Sequence, residues 1–238
     1  MITRPVTNPN KRQRFPAEIT SHWVWLYFRL RLSYRDGAAL MAERGDALTD
    51  ESVWYCRRTS GQPYANQLRC RQPGPGDKWH PDEAFLTIHG ERHYLRRAVD
   101  HDGHVLDSLV RRRRDTAAAK KLFRKLLKGF TYVPRVIVTD MLRSPEAAKR
   151  ALLPGVEPRQ RRSLNHRAEN SHQPTRQRER TRRRCIPAGQ APRFLAAYGP
   201  LASPFRPRCH LLPARVYRQE MTRRFQAWRE ITGPAMAA

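Results

Sequence analysis

The order of hydrophobic patterns between residues 85 and 140 restricts the folds that this chain can adopt. Three short runs of alternating, strand-forming residues occupy positions 85–89, 93–99 and 104–110. The segments between them, 89–91 and 100–103, each contain a glycine and are typical of hairpin turns. The pattern therefore predicts three consecutive antiparallel strands.

A helix and a fourth strand follow these three strands. Residues 115–128 carry one apolar stripe at helical spacing, and Gly129 is expected to follow the helix. Residues 136–138 are continuously apolar and lead to Asp140, which is typical of a buried strand in the parallel part of a sheet. The order strand, strand, strand, helix, strand, helix is that of the ribonuclease H-like fold. We therefore predict an α/β domain with a mixed five-stranded sheet and flanking helices.

The N-terminal quarter of the chain has a helical period instead. Residues 1–15 show no period and predict a flexible basic arm. Three helices are then predicted: one with apolar residues at three-to-four spacing, one that Ser33 caps and Gly45 ends, and one from Thr49 to Gly61. Because the third helix ends in basic residues, residues 16–61 match a helix-turn-helix. A small helical bundle that contacts no DNA is the alternative.

The composition of the rest of the chain predicts a linker, a second domain and C-terminal helices. Residues 62–78 are rich in Pro, Gly, Gln and Arg and predict a linker. The ribonuclease H-like domain is expected over residues 79–184, and two helical stretches in 185–238 are expected to pack as C-terminal helices. Within 157–184, ten arginines and three glutamates accompany hardly any large apolar side chain. We therefore expect this segment to bury no helix face of its own.

The formal net charge of +26 points to a polyanionic partner. Arginine supplies most of this charge, and its planar guanidinium suits phosphate groups. A membrane is disfavoured, because the longest apolar run, 23–32, contains two arginines and is shorter than the ~20 residues of a spanning helix. The N-terminus shows no signal-peptide pattern, and the four cysteines lack zinc or disulfide spacing. We expect a cytoplasmic protein with reduced thiols.

Three carboxylates occupy positions from which this architecture can assemble a metal site. Asp82 is expected at the start of the first strand, Asp140 at the end of the fourth, and Glu169 in the segment beyond. The first and fourth strands are neighbours in such a sheet, so Asp82 and Asp140 are expected to meet. Phosphodiester chemistry uses two divalent ions about 3.5–4 Å apart, and Mg²⁺ prefers carboxylate oxygens. Taken singly, each acid also has a structural interpretation: a polar strand end, a helix N-cap and a solvated helix face.

Six motifs resemble the insertion-sequence-six family of bacterial transposases, over a range from about Lys11 to the last helix. They are Leu-Ser-Tyr-Arg at 32–35, Ala-Glu-Arg-Gly at 42–45, Asp-Lys-Trp-His-Pro-Asp-Glu at 77–83, Arg-Ala-Val-Asp at 97–100, Thr-Asp-Met-Leu-Arg-Ser at 139–144 and Asn-His-Arg-Ala-Glu-Asn-Ser-His at 165–172. The resemblance implies a ribonuclease H-like fold and a metal triad of Asp82, Asp140 and Glu169 that binds two Mg²⁺ or Mn²⁺ ions. It also implies cointegrate formation between a donor replicon and a target.

The resemblance further implies how such a protein handles double-stranded DNA. Water cleaves the 3′ ends of the element, and the freed 3′-hydroxyl attacks target DNA. The helix-turn-helix recognises terminal inverted repeats. Candidate DNA contacts lie on its third helix and around the glutamate: Trp54, Arg57, Arg58, Asn165, Asn170 and His172. Because two DNA ends must be brought together, we expect a homodimer or larger assembly that acts on nucleoid DNA.

Several positions depart from the family pattern. They include Pro81, Arg96, Met141, Pro145 and His166. A proline in a strand removes a ladder hydrogen bond, and an arginine in a strand opposes burial, so the first two are expected to destabilise the sheet. A catalytically inactive DNA-binding remnant of a transposase is therefore the alternative to an active enzyme. A basic RNA-binding protein is a third hypothesis, supported by the arginine-rich segment alone.

Overall fold

A computed structural model describes residues 14–30, 32–71, 74–88, 90–130, 132–139, 143–160, 166–181, 191–205 and 212–233. The elements in chain order are α1 (Ala17–Arg29), α2 (Tyr34–Glu43), α3 (Asp50–Arg71), β1 (Lys78–Ile88), β2 (Glu91–Asp100), β3 (Val105–Arg111), α4 (Thr116–Phe130), β4 (Val136–Thr139), α5 (Arg143–Leu152), β5 (Glu157–Gln160), α6 (His166–Thr181), α7 (Ala191–Ala202) and α8 (Ala214–Thr232). They form two compact units, Met1–Gln72 with Pro200–Ala238, and Pro73–Gly199. The predicted C-terminal helices are therefore divided between the two units.

In the first unit, capping residues begin or end helices at three positions that the sequence predicts. Ser33 Oγ accepts a hydrogen bond from the Asp36 N–H (3.1 Å), and the Asp36 carboxylate accepts one from the Ser33 N–H (2.9 Å), so α2 begins with a capping box. Gly45 follows α2 with a φ of 88°, a left-handed conformation that ends helices. Thr49 Oγ1 accepts from the Ser52 N–H (3.2 Å) at the start of α3. These three predictions are confirmed.

The third helix continues to Arg71, so the predictions that it ends near Gly61 and that residues 62–71 belong to a linker are wrong. Gly61 and Pro63 are poor helix formers, but Tyr64 and Leu68 lie on a buried face of this helix. The Tyr64 ring packs edge-on against Trp228 of α8, with centroids 5.4 Å apart. Burial of this face offsets the local cost of the glycine and the proline.

The second unit contains a five-stranded sheet in the order β3-β2-β1-β4-β5. β1 pairs antiparallel with β2, and β2 pairs antiparallel with β3. β4 runs parallel to β1 on one side and to β5 on the other. This mixed topology confirms the predicted ribonuclease H-like fold. It also places β1 at the centre of the sheet, where both antiparallel and parallel partners meet.

Helices cover both faces of the sheet. α4 and α5 pack on one face, where Trp79, Phe123 and Ile137 belong to the main core cluster. α4 includes Gly129, which the sequence places after the helix. On the other face, α6 packs against β1 and β2, and Ala168 of α6 joins a smaller buried cluster. Because successive residues of a strand alternate between faces, β1 and β2 contribute side chains to both layers.

Pro81 lies in β1 beyond the last described pairing with β4. β1 pairs with β4 at Lys78 and Trp79, whereas its pairing with β2 continues to Ile88. After Trp79, therefore, one edge of β1 has no strand partner among the residues that the structure describes. Proline is tolerated at such an edge, which explains how this central strand accommodates it.

Arg96 is buried in β2 but has a charged partner, and the expectation that it destabilises the sheet stays a prediction. Its Nη2 lies 2.7 Å from Oε2 of Glu83, its neighbour across the β1–β2 ladder, and donates a hydrogen bond to the Asp115 carbonyl oxygen (3.0 Å). Oε1 of Glu83 also lies 2.5 Å from Nε of Arg114. Burial lowers the pKa of Arg96, and the Glu83 carboxylate opposes that shift. A carboxylate between two guanidiniums thus compensates the buried charge.

Arg96→Leu is expected to destabilise the second unit by about 3 kcal/mol, because the buried Glu83 carboxylate would keep only one cation. The double variant Glu83→Leu/Arg96→Leu is expected to recover most of this loss, since two apolar side chains would replace the whole ion pair. Urea denaturation of both variants measures the effect. An Arg96→Leu midpoint equal to that of the wild type would show that the ion pair does not stabilise the fold.

Within the described ranges, none of the helices combines the length and hydrophobicity that crossing a bilayer requires. Cys56 is buried and Cys70 is exposed, both as free thiols. Cys185 and Cys209 lie outside the described residues.

Candidate active site

Asp82 lies inside β1, and not at the start of the strand as predicted. The strand begins earlier because the ladder with β2 reaches back to Trp79, which pairs with Asp100 and is fully buried. The side chain of Asp82 faces α6 and is only 9% exposed. The central strand of the sheet therefore carries a carboxylate into the layer between sheet and helix.

The helix that covers Asp82 presents a small, largely polar face to the sheet. Ala168, His172 and Thr175 recur at helical spacing on α6 and are buried. The prediction that this arginine-rich segment buries no helix face is therefore wrong. The buried side chains are small or polar, so a search for large apolar residues does not detect this face.

His172 brings α6 next to Asp82. Its Nε2 lies 3.5 Å from Oδ2 of Asp82, and its side chain is 1% exposed. Burial, followed by the positive charges of Arg97 and Arg176, lowers the pKa of His172 well below its usual value. The imidazole is therefore neutral at neutral pH and adds no positive charge beside Asp82. Its burial disagrees with the prediction that His172 contacts DNA.

Arg97 joins β2 to α6 on the same face of the sheet. It lies directly opposite Asp82 in the β1–β2 ladder and is 1% exposed. Its guanidinium donates hydrogen bonds to the Ser171 carbonyl oxygen (2.5 Å), Thr175 Oγ1 (3.0 Å) and Ser108 Oγ (3.2 Å). Burial lowers the pKa of Arg97 to about 10, so the side chain is charged at neutral pH. Sequence analysis gave this residue no role, although Arg97 begins the Arg-Ala-Val-Asp motif at 97–100.

Glu169 and Asn170 are exposed on α6. Glu169 precedes His172 by three residues, a spacing that makes their side chains neighbours on the helix surface, with Cβ atoms about 5–6 Å apart. Because His172 lies beside Asp82, Glu169 lies at the solvent-exposed rim of the same sheet–helix layer. Glu169 therefore lies on the helix that covers Asp82, three residues before the histidine that lies beside it.

The second predicted carboxylate, Asp140, lies outside the described residues, as do Asn165, Met141 and the side chains of Pro145 and His166. β4 is described as far as Thr139, which is buried in the strand next to β1. The expected meeting of Asp82 with Asp140 therefore stays a prediction.

A separate group of metal-binding residue types occupies the turn between β2 and β3. Ligand atoms of Asp100, Asp102 and His104 all lie within 4.8 Å of one another. Asp100 Oδ1 accepts hydrogen bonds from the N–H groups of Asp102 (2.9 Å) and His104 (2.8 Å). Burial opposes ionisation of Asp100, but hydrogen bonds from His104 and Asp102 lower its pKa. These contacts are those of a side chain that stabilises a hairpin turn.

Arg58 is the most accessible of the three predicted DNA contacts on α3. Its guanidinium lies 5.1 Å from the ring centroid of the half-buried Trp54. Arg57 instead lies over the rings of Tyr27 and Tyr34, at 5.9 and 6.0 Å, within the helical unit. Arg58 and Trp54 therefore form a cationic and aromatic surface, whereas Arg57 contributes to the packing of the unit.

Comparison with known proteins matches the second unit to a described family. The family model DDE_Tnp_IS240, a DDE domain, matches residues 76–199. The Staphylococcus aureus proteins described as transposase for insertion sequence-like element IS431mec and transposase for insertion sequence element IS257 in transposon Tn4003 are each 29% identical over 136 residues. The match covers 57% of this chain and 60% of each relative, so the chain spans about 60% of the length of these curated relatives.

Two solved structures show a more distant similarity. The catalytic core domain of BIV integrase aligns at 15% identity with a TM-score of 0.40, covering 63% of this chain and 99% of that one. A chain of the simian T-cell lymphotropic virus intasome in complex with PP2A regulatory subunit B56 gamma aligns at 13% identity with a TM-score of 0.41. It covers 78% of this chain and 65% of that one.

Proposed function

Because the chain belongs to the DDE transposases of the insertion-sequence-six family, we propose that it cuts DNA at the terminal inverted repeats of an insertion sequence and joins the ends to target DNA. The reaction is a divalent-metal-dependent transfer of a polynucleotide strand. Its product is a cointegrate between donor and target.

The observation that carries this proposal is the position of Asp82 between the central strand and α6. Asp82 is buried, His172 lies 3.5 Å away, and Glu169 lies one helical turn earlier at the solvent-exposed rim. One carboxylate thus lies inside the layer and another lies where a DNA phosphate can reach it.

The side chains at this site fit a hard divalent ion. Asp82, Asp140 and Glu169 would hold Mg²⁺ or Mn²⁺ through carboxylate oxygens, the ligands that such ions prefer. His172 is neutral, so it does not replace a metal ion as a positive partner of Asp82. When bound, two ions stabilise the negative charge that develops on the attacking and leaving oxygens.

The chain's own residues position this chemistry. Arg97 binds the Ser171 carbonyl oxygen and the Thr175 hydroxyl, so it holds α6, and with it Glu169, against the sheet. A water oxygen attacks the phosphorus at the element end, and the bond to the element's terminal 3′ oxygen breaks. The freed 3′-hydroxyl then attacks a phosphorus of target DNA and displaces another 3′ oxygen. Both steps are in-line displacements without a covalent enzyme intermediate.

Recognition of the element end is assigned to the helix-turn-helix at residues 16–61. Arg58 and Trp54 of α3 supply an exposed guanidinium stacked on an indole, a pair suited to phosphate and base edges. Two ends must be joined to one target, so the working form is a homodimer or larger assembly on DNA. Because its substrate is DNA, we expect the protein to act at the nucleoid, in the cytoplasm.

The test is a cleavage assay with the purified full chain and an end-labelled duplex taken from the DNA that flanks its coding region. With Mg²⁺ or Mn²⁺, we expect nicking at the 3′ end of the terminal repeat, followed by joining to a plasmid target. EDTA is expected to abolish both products. Asp140→Asn is expected to abolish them as well, because it removes one metal-binding carboxylate.

The outcomes separate the alternatives. Cleavage that survives EDTA, or that Asp140→Asn leaves unchanged, would contradict the proposal. Specific, steeply salt-dependent binding of the terminal repeat without any metal-dependent cleavage would identify an inactive DNA-binding remnant instead. Stronger binding of structured RNA than of duplex DNA at equal salt would favour the RNA-binding hypothesis.

A further inference from the structure

A basic cavity of about 700 Å³ lies where β3 runs into α4, away from the candidate active site. Five cationic side chains line it: Arg111, Arg112, Arg113, Lys121 and Arg124. Among the described residues, Asp115 is the one acid in the lining. The Asp115 carboxylate accepts a hydrogen bond from the Ala118 N–H (2.7 Å) at the start of α4. That acid therefore caps α4, and one carboxylate against five cations leaves the lining strongly positive.

The cations of this cavity are mostly without acidic partners, unlike their neighbours in sequence. Arg112 pairs with Glu91. Just outside the cavity, Arg114 pairs with Glu83 and Lys125 pairs with Asp107. No carboxylate among the described residues forms an ion pair with the other four lining cations, Arg111, Arg113, Lys121 and Arg124. These four side chains are exposed, and like charges held close together favour a bound polyanion.

The lining residues indicate which part of a nucleic acid fits. None of the described residues that line the cavity is aromatic, so they offer no surface on which a base can stack. Guanidinium and ammonium groups instead match phosphate oxygens, with arginine able to form two parallel hydrogen bonds. The N-terminus of α4 adds a partial positive charge in the same place. The site therefore suits a sugar–phosphate backbone and is expected to be insensitive to base sequence.

The cavity and the candidate active site lie on opposite faces of the sheet, because α4 lines the cavity and α6 covers Asp82. Asp82 pairs with Arg97, which pairs with Ser108, and Arg111 lies three residues further along β3. Two strand spacings and three residue rises separate the backbones of Asp82 and Arg111 by roughly 14 Å. A duplex that contacts both sites therefore has to pass the outer edge of β3, which is the edge strand of the sheet.

We propose that the cavity between β3 and α4 binds the phosphate backbone of duplex DNA that extends away from the reacting phosphodiester. This proposal rests on the proposed function, because it assigns the DNA a path over the same unit. The contact positions DNA of any sequence, whereas end recognition belongs to the helix-turn-helix. Binding here contributes affinity that decreases steeply as salt increases.

The test measures duplex binding by fluorescence anisotropy over a series of salt concentrations, with EDTA present so that no chemistry occurs. The full chain is compared with the triple variant Arg111→Gln, Arg113→Gln and Lys121→Gln. The control loses the same charge at ion-paired, exposed arginines: Arg71→Gln, Arg150→Gln and Arg223→Gln. Each phosphate contact contributes about 0.9 to the slope of log K against log salt, so we expect the slope to decrease in magnitude by about 2–3 in the cavity variant only.

A second measurement uses the wild-type protein and does not depend on any variant. Lys121 lines the cavity, whereas Lys125, one turn later on α4, is paired with Asp107. Saturating duplex DNA is expected to protect Lys121 from acetylation by a water-soluble active ester and to leave Lys125 reactive. Mass spectrometry of the peptides measures the extent of acetylation at both lysines in one experiment.

The results distinguish this proposal from the proposed function. Equal salt slopes for the cavity and control variants, or unchanged acetylation of Lys121, would overturn the cavity as a DNA site while leaving cleavage and strand transfer unaffected. A greater loss of binding to duplex RNA than to duplex DNA would identify RNA as the occupant and overturn the proposal. If the wild-type chain binds no duplex DNA at low salt, the proposed function itself fails.

Discussion

Asp82→Asn is expected to lower the rate of terminal cleavage by on the order of 10³-fold, because loss of a metal-binding carboxylate removes several kcal/mol of transition-state stabilisation. The substitution keeps the shape of the side chain and removes a charge that is 9% exposed. Burying an amide is less costly than burying a carboxylate, so thermal stability without metal is expected to be equal or higher. Loss of activity without loss of stability is what distinguishes a metal ligand from a structural residue.

The measurement compares single-turnover cleavage and thermal unfolding of wild type, Asp82→Asn and Asp102→Asn. Asp102 is the control because it belongs to the other acidic group, in the β2–β3 turn, and its side chain is exposed. Asp102→Asn is expected to cleave at the wild-type rate. The opposite result, with Asp102→Asn inactive and Asp82→Asn active, would move the metal site to the turn and remove the basis of the proposed active site.

The features that sequence alone predicted well are those set by neighbouring residues. Ser33 caps α2 through Asp36, three residues later, and Gly45 ends that helix through its own backbone conformation. The strand order also followed from local patterns, because alternating runs separated by hairpin turns pair with each other. Because a helix separates the third and fourth strands, the fourth strand was expected to lie parallel to β1. This expectation already placed β1 at the centre of the sheet.

The features that sequence missed depend on contacts between distant parts of the chain. α3 continues through Gly61 and Pro63 because its buried face packs on Trp228, more than 150 residues away. Arg96 suits its strand because the ladder register places Glu83 opposite it. Neither the partner helix nor the strand register can be deduced from a single sequence. Local propensity therefore misjudged where α3 ends.

Sequence alone identified two carboxylates of the candidate site, but the other features of the site depend on contacts between distant parts of the chain. Asp82 and Glu169 were identified by residue type and by their place in the order of elements. The approach of His172 to Asp82, and the hydrogen bonds from Arg97 to α6, depend on how α6 packs on the sheet. That packing uses small and polar side chains, which carry no hydrophobic period. The polar layer around the carboxylate was therefore detectable only in three dimensions.

Gly37→Ala is expected to destabilise the first unit by about 3–5 kcal/mol. A Cβ at position 37 would lie 1.8 Å from the indole of Trp23, a fully buried and rigid side chain. Moving the indole would also break the hydrogen bond from Trp23 Nε1 to the Val53 carbonyl oxygen (2.8 Å), which joins α1 to α3. This cost exceeds the gain of up to about 1 kcal/mol that alanine normally brings to a helix interior.

The matched control is Gly129→Ala, the same substitution within α4. A Cβ at Gly129 meets no atom within 4 Å, so only the gain in helix propensity remains, and stability is expected to rise by a few tenths to about 1 kcal/mol. Thermal unfolding is expected to shift downward by about 10 °C or more for Gly37→Ala and slightly upward for Gly129→Ala. Hydrogen exchange would assign the Gly37→Ala loss to α1, α2 and α3.

The Gly37 variant also tests whether the helical unit selects DNA ends. If residues 16–61 read the terminal repeat, Gly37→Ala should lose the preference for repeat over unrelated duplex as the unit unfolds. Binding through the basic cavity should persist, because that cavity belongs to the other unit. A variant that unfolds α1–α3 yet still prefers the repeat would assign end recognition to the sheet-containing unit. Since phosphate contacts carry no sequence information, base contacts would then have to be sought around α6.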